Sequence, residues 1–422
     1  MMRGAPFAGS IIGAVALLVT TPALGQSLDV VINDAVAHSP ALRAASARAD
    51  VARAGVELAR AERAPFATAE GQIGAGRIDP QGFFGLAAED VVPRSARATV
   101  EYPLFSGGRT GAAIRQATSN AETADLQSRM ALLELRVQVV ESYAQAIAAT
   151  QTIARYDMLI RALNEALRHA RLKFEAGNGS STEIAQAQAR HAEAQAGLSG
   201  ARGQLAGALS QLAALAGHPV VINAALPPSP PVPLSGEAAT ALALKDNPLV
   251  LAAAKQVDAA RARADGAHAE RLPTLGAYAE AATVRDQFFP GYKADSASAG
   301  LRARWTFFSG GRTNAKERAA AAGLRAAQAD ADYARQTVGQ QAIMVYEAMI
   351  SGRAVAQAAS ARLSASEAAL RDTVLEVKAG AKPLLAQLDA EREVIEAQAA
   401  QAQADGQLLV AIYRLRAIAG MD

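Results

Sequence analysis

The sequence predicts a mainly α-helical fold with a small β part, built as two internal repeats. Three observations carry this. First, EYPLFSGGRT (Glu101 to Thr110) recurs as RWTFFSGGRT (Arg304 to Thr313), 203 positions on. The same offset links Tyr143 to Tyr346, Ala176-Gly177 to Ala379-Gly380 and Gly217 to Gly420, so one unit has been duplicated. Second, residues before each motif alternate between apolar and polar, the period of a strand with two unlike faces. Third, residues after each motif are rich in Ala, Arg, Glu and Gln and run on without proline, the composition of a long helix. Upstream of the motif the offset becomes 208, linking Pro40 to Pro248 and Pro65 to Pro273. Only the segment between Pro65 and Phe105 has changed length, which marks surface loops.

Residues 1–25 read as a signal peptide. Arg3 supplies the positive start, Phe7 to Val19 the apolar run, and Ala23 and Gly25 the small residues before the cleavage point. The apolar run is too short to span a membrane comfortably. Repeat 1 then covers 26–217 and repeat 2 covers 237–422. Leu28 to Arg63 is helical, with Ser39-Pro40 restarting the helix as a cap residue and a first-turn proline; Asn247-Pro248 does the same in repeat 2. Pro65 and Pro273 end these helices. A β-hairpin follows in each repeat, 66–105 and 274–308. Its outgoing strands are Phe66 to Ile78 and Thr274 to Val284. The loops, Asp79 to Pro93 and Arg285 to Asp295, carry Phe83, Phe84, Phe288, Phe289 and Tyr292.

In the returning strands Ala98, Val100, Tyr102, Ala299, Leu301 and Ala303 share the apolar parity, while Arg97, Glu101, Arg302 and Arg304 share the polar one. No apolar run beyond the signal is long enough for a transmembrane helix, so a membrane-spanning form requires strands closed into a transmembrane β-barrel. The apolar parity would then face lipid and the polar parity the lumen. Gly107-Gly108 and Gly310-Gly311 let the backbone turn from strand to helix. Arg109 and Arg312 follow, either at the membrane–water boundary against anionic headgroups or simply solvated.

The long helices, 106–176 and 309–379, would each be rods of about 105 Å. Leu126, Met130, Leu133, Val137, Val140, Ala144 and Ile147 repeat at coiled-coil spacing. Gly177-Asn178-Gly179 ends the first rod and Gly380-Ala381-Lys382 the second. Shorter helices return over 182–216 and 383–419, with Pro383 in the first turn of the latter. Residues 218–236, with six prolines, form a stiff linker between repeats.

Composition narrows the function. The absence of cysteine excludes disulfides, thiol catalysis and lipidation of an N-terminal cysteine. A formal charge of +2 gives no case for nucleic acid as a partner. The five histidines have no metal-ligand spacing, and nucleophile-elbow and phosphate-loop motifs are missing, so neither catalysis nor a cofactor is expected. Ser-Gly-Gly-Arg follows a strand and opens a helix, as a phosphate loop does, but it lacks the spaced glycines and the lysine.

With its duplicated strand-to-helix junction, paired hairpins and rods, and signal peptide, the mature chain resembles the TolC-type outer membrane efflux proteins over its whole length. That resemblance implies a homotrimer in the outer membrane, extending into the periplasm. Each copy gives four strands to one shared barrel, and the helices form a coiled-coil barrel. It implies docking to a periplasmic adaptor protein and an inner-membrane transporter through the turns at Gly177, Asn178, Gly179, Gly380, Ala381 and Lys382. Four strands alone cannot close a barrel.

The family carries an A-G-x-x-x-x-x-D-V-L-D pattern whose aspartates ring the closed entrance. Here the second aspartate is Asp389 and the first is replaced by Ala386, with Glu183 at the equivalent place in repeat 1. A helix-surface pair between Asp389 and Arg392 is the competing reading of that residue. For the whole chain, the main reading is an exit duct for efflux or type I secretion. The competing one is an exported soluble coiled-coil adaptor or scaffold.

Overall fold

The computed structural model describes residues 25–79, 87–223 and 225–421. The signal segment before residue 25, and Phe83 and Phe84, lie outside the described residues. Repeat 1 contains α1 (Leu28–His38), α2 (Pro40–Ala61), β1 (Phe66–Ile73), β2 (Gly76–Ile78), β3 (Glu89–Val91), β4 (Arg94–Phe105), α3 (Arg109–Glu175) and α4 (Ser181–Ala216). Repeat 2 contains α5 (Gly236–Asp246), α6 (Pro248–Ala269), β5 (Thr274–Arg285), β6 (Lys293–Arg304), α7 (Arg312–Lys378) and α8 (Leu384–Ile418). The chain is thus mainly helical with a small sheet. No helix among the described residues is long and apolar enough to cross a membrane.

The helix starts follow from capping. The Ser39 hydroxyl accepts from the Leu42 amide at 3.2 Å, and the Asn247 side-chain oxygen accepts from the Leu249 amide at 2.8 Å. Each is followed by proline, whose missing amide costs nothing at the first helical position. α3 and α7 each span 67 residues, a length of about 100 Å at 1.5 Å per residue.

The main sheet has strand order β1-β4-β5-β6, with every neighbour antiparallel. Cross-strand partners share a face. One face therefore carries Ala67, Ala69, Ala98, Val100, Ala279, Ala281, Ala297, Ala299 and Leu301. The other carries Thr68, Glu70, Arg97, Thr99, Glu101, Glu280, Ser298 and Arg302. β1 and β6 are free edges.

Four expectations need correction. The strand expected over Phe66 to Ile78 breaks after Ile73, where the Gly74 amide turns to donate to the Pro93 carbonyl at 2.9 Å. Part of the loop expected over Asp79 to Pro93 is strand β3, which pairs with β2 and is tied by Arg77–Asp90 at 3.1 Å. The second hairpin ends at Arg304 rather than 308: β4 keeps its order to Phe105 because β5 lies beside it, whereas β6 has no neighbour on its outer side. Pro383 precedes α8 as its cap residue instead of lying within its first turn.

α3 is the spine of the helical layer. α2, α4, α6 and α8 all lie against it. Its middle is accordingly buried nearly all round: Leu135, Val139, Val140, Tyr143 and Ile147 meet Val31 and Ala35 of α1, Leu212 of α4 and Leu409 of α8. A two-helix seam would bury one stripe only; packing on several flanks is why the heptad pattern understates this burial. Ser142, Thr150 and Thr152 hide their hydroxyls by donating to the carbonyl one turn earlier.

Candidate functional site

The strand-to-helix junctions are built alike. Gly107 and Gly108 have φ of 64° and 90°, and Gly310 and Gly311 have 60° and 85°, a region costly for any residue with a Cβ. Gly108 and Gly311 are the cap residues, and the serine before each pair ties down a first-turn amide. The Ser106 hydroxyl accepts from the Thr110 amide, and the Ser309 hydroxyl from the Thr313 amide, both at 3.3 Å. Sequence reasoning credited the glycines and missed the serines; the S-x-x-x-T spacing is the signal that could have found them. Arg109 and Arg312 open α3 and α7 and are exposed. A cation at this end opposes the helix dipole, so helix stability does not explain them.

On the polar face of the sheet, Arg302 reaches Glu101 at 2.9 Å and lies over the Tyr278 ring, 4.5 Å from its centroid. Arg97 approaches Glu280 at 3.7 Å. Arg97 and Arg302 thus have acidic or aromatic company on other strands of the sheet.

The far ends of the rods close with glycine caps. Gly177 and Gly380 have φ of 74° and 77°. The Asn178 amide donates to the Lys173 carbonyl and the Ala381 amide to the Glu376 carbonyl, both at 2.9 Å, satisfying carbonyls that the helix ends would leave free. Gly179 is required for space, since a Cβ there would stand 2.9 Å from the Phe174 nitrogen. Lys382 pairs with Glu376 at 2.6 Å. Glu183 lies in the first turn of α4, its amide donating to the Ser180 hydroxyl at 3.2 Å.

Asp389 lies near this end, in the second turn of α8. It does not pair with Arg392, which instead meets Glu396 at 2.7 Å. Asp389 Oδ1 stands 2.8 Å from Arg190 of α4, in charge contact but off the line of a hydrogen bond. Arg190 also approaches Glu193 at 3.4 Å. Local spacing favoured the i,i+3 neighbour; tertiary packing of α4 beside α8 supplied a partner nearly two hundred positions away. The structure thus gathers the turns and Asp389 at one end of the rods and the glycine junctions at the other.

Halfway along, α3, α4, α7 and α8 enclose an open groove of about 1040 Å³. Gln145, Gln204, Gln211, Gln403 and Gln407 line it, together with Glu141 and Arg414, which pair at 3.3 Å. The rest of the lining is mostly apolar, largely alanine with Met344, Val345 and Val410, and the groove carries no net charge. Nearby, Asp405 is half-buried, and that burial raises its carboxyl above the ordinary range.

Comparison with known proteins bears on the whole chain. The model of the family described as outer membrane efflux protein matches residues 31–218 and 240–421, one stretch in each repeat. Outer membrane efflux protein BepC of Brucella suis is 27% identical over 286 residues, 66% of this chain and 61% of that protein. Alkaline protease secretion protein AprF of Pseudomonas aeruginosa is 28% identical over 332 residues, 76% of this chain and 67% of that one. The match thus spans about three fifths to two thirds of these curated relatives. Among solved structures, the outer membrane protein VceC of Vibrio cholerae superposes with a TM-score of 0.79 at 20% identity, covering 93% of this chain and 96% of that one, a likeness of fold.

Proposed function

The chain belongs to the outer membrane efflux protein family, and from that premise we propose that it is the exit duct of a tripartite efflux or type I secretion system. In this role it carries substrate from an inner-membrane pump across the periplasm and outer membrane. The observation that carries the reading is the four-stranded sheet, apolar on one face and polar on the other, set on helices of about 100 Å. Four strands cannot close a barrel, and eight would leave an interior filled by side chains. Three copies give twelve strands and an open lumen. The apolar face meets outer membrane lipid and the polar face lines the lumen. A soluble scaffold has no use for a continuous apolar sheet face.

The helices then wall a tunnel through the periplasm. Their far turns, around Gly177 to Gly179 and Gly380 to Lys382, meet the periplasmic adaptor, and Asp389 stands at the entrance. Arg109 and Arg312 lie at the inner boundary of the membrane, within reach of anionic headgroups. Residues 1–25 direct export and are removed. The duct is passive: the pump supplies energy, and this chain supplies a path.

The test is the mass of the protein extracted from the outer membrane fraction in mild detergent, measured by light scattering with the detergent subtracted. Three chains per particle supports the duct. A single chain, or a protein found soluble in the periplasm, sinks it.

A further inference from the structure

The turn that joins α3 to α4 carries a reactive pair that its twin between α7 and α8 lacks. Asn178 precedes Gly179, whereas the repeat offset of 203 puts Ala381 and Lys382 at those places. The backbone nitrogen that follows an asparagine can attack that residue's side-chain carbonyl carbon and close a five-membered imide. Glycine makes the attack easiest, because no Cβ crowds the nitrogen.

We propose that Asn178 is a site of spontaneous deamidation, converting to aspartate and isoaspartate in the folded protein. In the first step a bond forms between the Gly179 nitrogen and Asn178 Cγ. The bond from Cγ to Nδ2 breaks, and ammonia leaves with the proton of the Gly179 amide. Water then adds to either carbonyl of the ring. Opening at one C–N bond restores the ordinary backbone with an aspartate side chain. Opening at the other leaves the chain running through Cβ and Cγ, with the α-carboxylate as the acid group. Each product carries one new negative charge, nothing is oxidised or reduced, and water is the sole co-reactant.

The structure leaves this pair able to react. Asn178 is exposed and Gly179 is half-buried, beyond the end of α3 and before the Ser180 cap of α4. The backbone N–H of Asn178 donates to the Lys173 carbonyl at 2.9 Å. The Asn178 side chain and the Gly179 amide have no hydrogen-bond partner among the described residues. The side chain is thus able to rotate onto the nitrogen, and the nitrogen gives up no bond when it attacks.

The other asparagines are held. Asn33, Asn120 and Asn164 lie inside α1 and α3, where the next backbone nitrogen is committed to the helix. After Asn314 the Ala315 amide donates to the Gly311 carbonyl at 3.0 Å, and Asn314 Oδ1 accepts from Arg271 at 2.9 Å. Asn247 is followed by Pro248, which has no amide hydrogen. Asn223 holds the Ala225 amide through its Oδ1 at 3.2 Å.

Conversion changes the turn. The isoaspartate form inserts an extra backbone atom just before Gly179, where space is short: a Cβ on Gly179 would stand 2.9 Å from the Phe174 nitrogen. Both forms put a carboxylate between the negative end of the α3 dipole and the positive end of that of α4. Resting on the reading of this turn as an adaptor contact, ageing alters one contact turn of each chain and leaves the other, at Ala381, as it was made. The chemistry itself does not depend on that reading.

The test is made on the purified full chain in mild detergent, held at mildly alkaline pH and body temperature beside a free peptide of residues 174–190. Incubation runs until half of the free peptide has converted, with the zero-time digest as baseline. Trypsin cleavage after Lys173 and Arg190 releases the same segment from the protein, and Asn178 is its sole asparagine. That segment is expected to gain one dalton and to separate into two isomers, one of them labelled by an isoaspartyl methyltransferase. The segments that hold Asn33, Asn120 and Asn164 are expected to keep their mass. Asn178→Ser should abolish the gain.

A folded protein that keeps the Asn178 amide while the free peptide converts overturns the proposal. So does a gain of mass without isoaspartate, since direct hydrolysis closes no ring. A gain that persists in Asn178→Ser belongs to Gln186 or Gln188 and overturns the assignment. None of these results bears on the exit duct, which the particle mass decides.

Discussion

Tyr143 and Tyr346 make the same hydrogen bond in the two halves of the chain. Each donates its phenolic hydrogen to a backbone carbonyl just before the first helix of its own repeat, Gln26 at 2.8 Å and Leu234 at 3.1 Å. The two acceptors are 208 positions apart, as their repeats require. Both bonds tie the start of a repeat to the middle of a long helix. They differ in burial: Tyr143 is 1% exposed, while Tyr346 is partly buried and its hydrogen bond is open to solvent. Burial raises the Tyr143 hydroxyl above its ordinary range, so it stays protonated and donates throughout the physiological range. Tyr143→Phe is expected to cost about 0.5–1.5 kcal/mol, and Tyr346→Phe less, because water can replace the exposed donor. Thermal unfolding of the two variants checks the difference; equal losses would mean burial does not govern these bonds.

The sheet faces give a sharper contrast. Val100 and Thr99 are adjacent in β4 but point to opposite faces. If the apolar face meets lipid as proposed, Val100→Arg should cost roughly 2–4 kcal/mol at mid-membrane and less toward either boundary, while Thr99→Arg on the opposite face should be tolerated. The amount of assembled protein in the outer membrane reports this. Equal tolerance of both changes would reverse the assignment of faces.

The two junction glycines separate strain from space. Gly108 has φ of 90° and nothing within 4 Å of an added Cβ, so Gly108→Ala carries backbone strain alone, roughly 1–2 kcal/mol. At Gly107 a Cβ would also stand 2.8 Å from the Leu272 Cβ. Gly107→Ala should therefore destabilise more than Gly108→Ala in a thermal melt.

Both glycine pairs were legible in the sequence because they sit where a period of two gives way to a helical composition. The partner of Asp389 was not. Its nearest opposite charge along the chain is Arg392, and nothing local announces that α4 brings Arg190 to it. The break at Gly74 and the strand β3 were hidden for a related reason: three-residue pairings leave no period to count. The end of β6 was misread because composition continues apolar to Phe308, whereas order in a strand depends on having a neighbour.

His218 offers a test in pH. Its Nδ1 faces the Pro219 carbonyl at 3.0 Å and its Nε2 faces Asp34 at 3.1 Å, so both ring nitrogens meet acceptors and the charged form satisfies both. The Pro219 carbonyl first, and then Asp34, raise the ring above its ordinary range. His38 stands edge-on with 6.1 Å between ring centroids. A raised folded value means that the stabilisation is complete below the unfolded value of about 6.5 and is lost as pH rises through the folded one. His218→Asn should remove that part of the pH dependence of the melting temperature. An unchanged profile would place its origin elsewhere.

Ion current through single particles in a planar bilayer tests the central claim, a continuous water-filled path whose entrance Asp389 lines. In the proposed trimer, three Asp389 carboxylates around a narrow opening would focus a negative potential, which the Arg190 beside each one would partly cancel. The account predicts discrete, steady conductance steps with cation preference, a weaker preference in Asp389→Asn and a stronger one in Arg190→Ala. Selectivity identical in all three proteins would withdraw Asp389 from the entrance. Bilayers that hold confirmed three-chain particles and show no steps would contradict the duct itself.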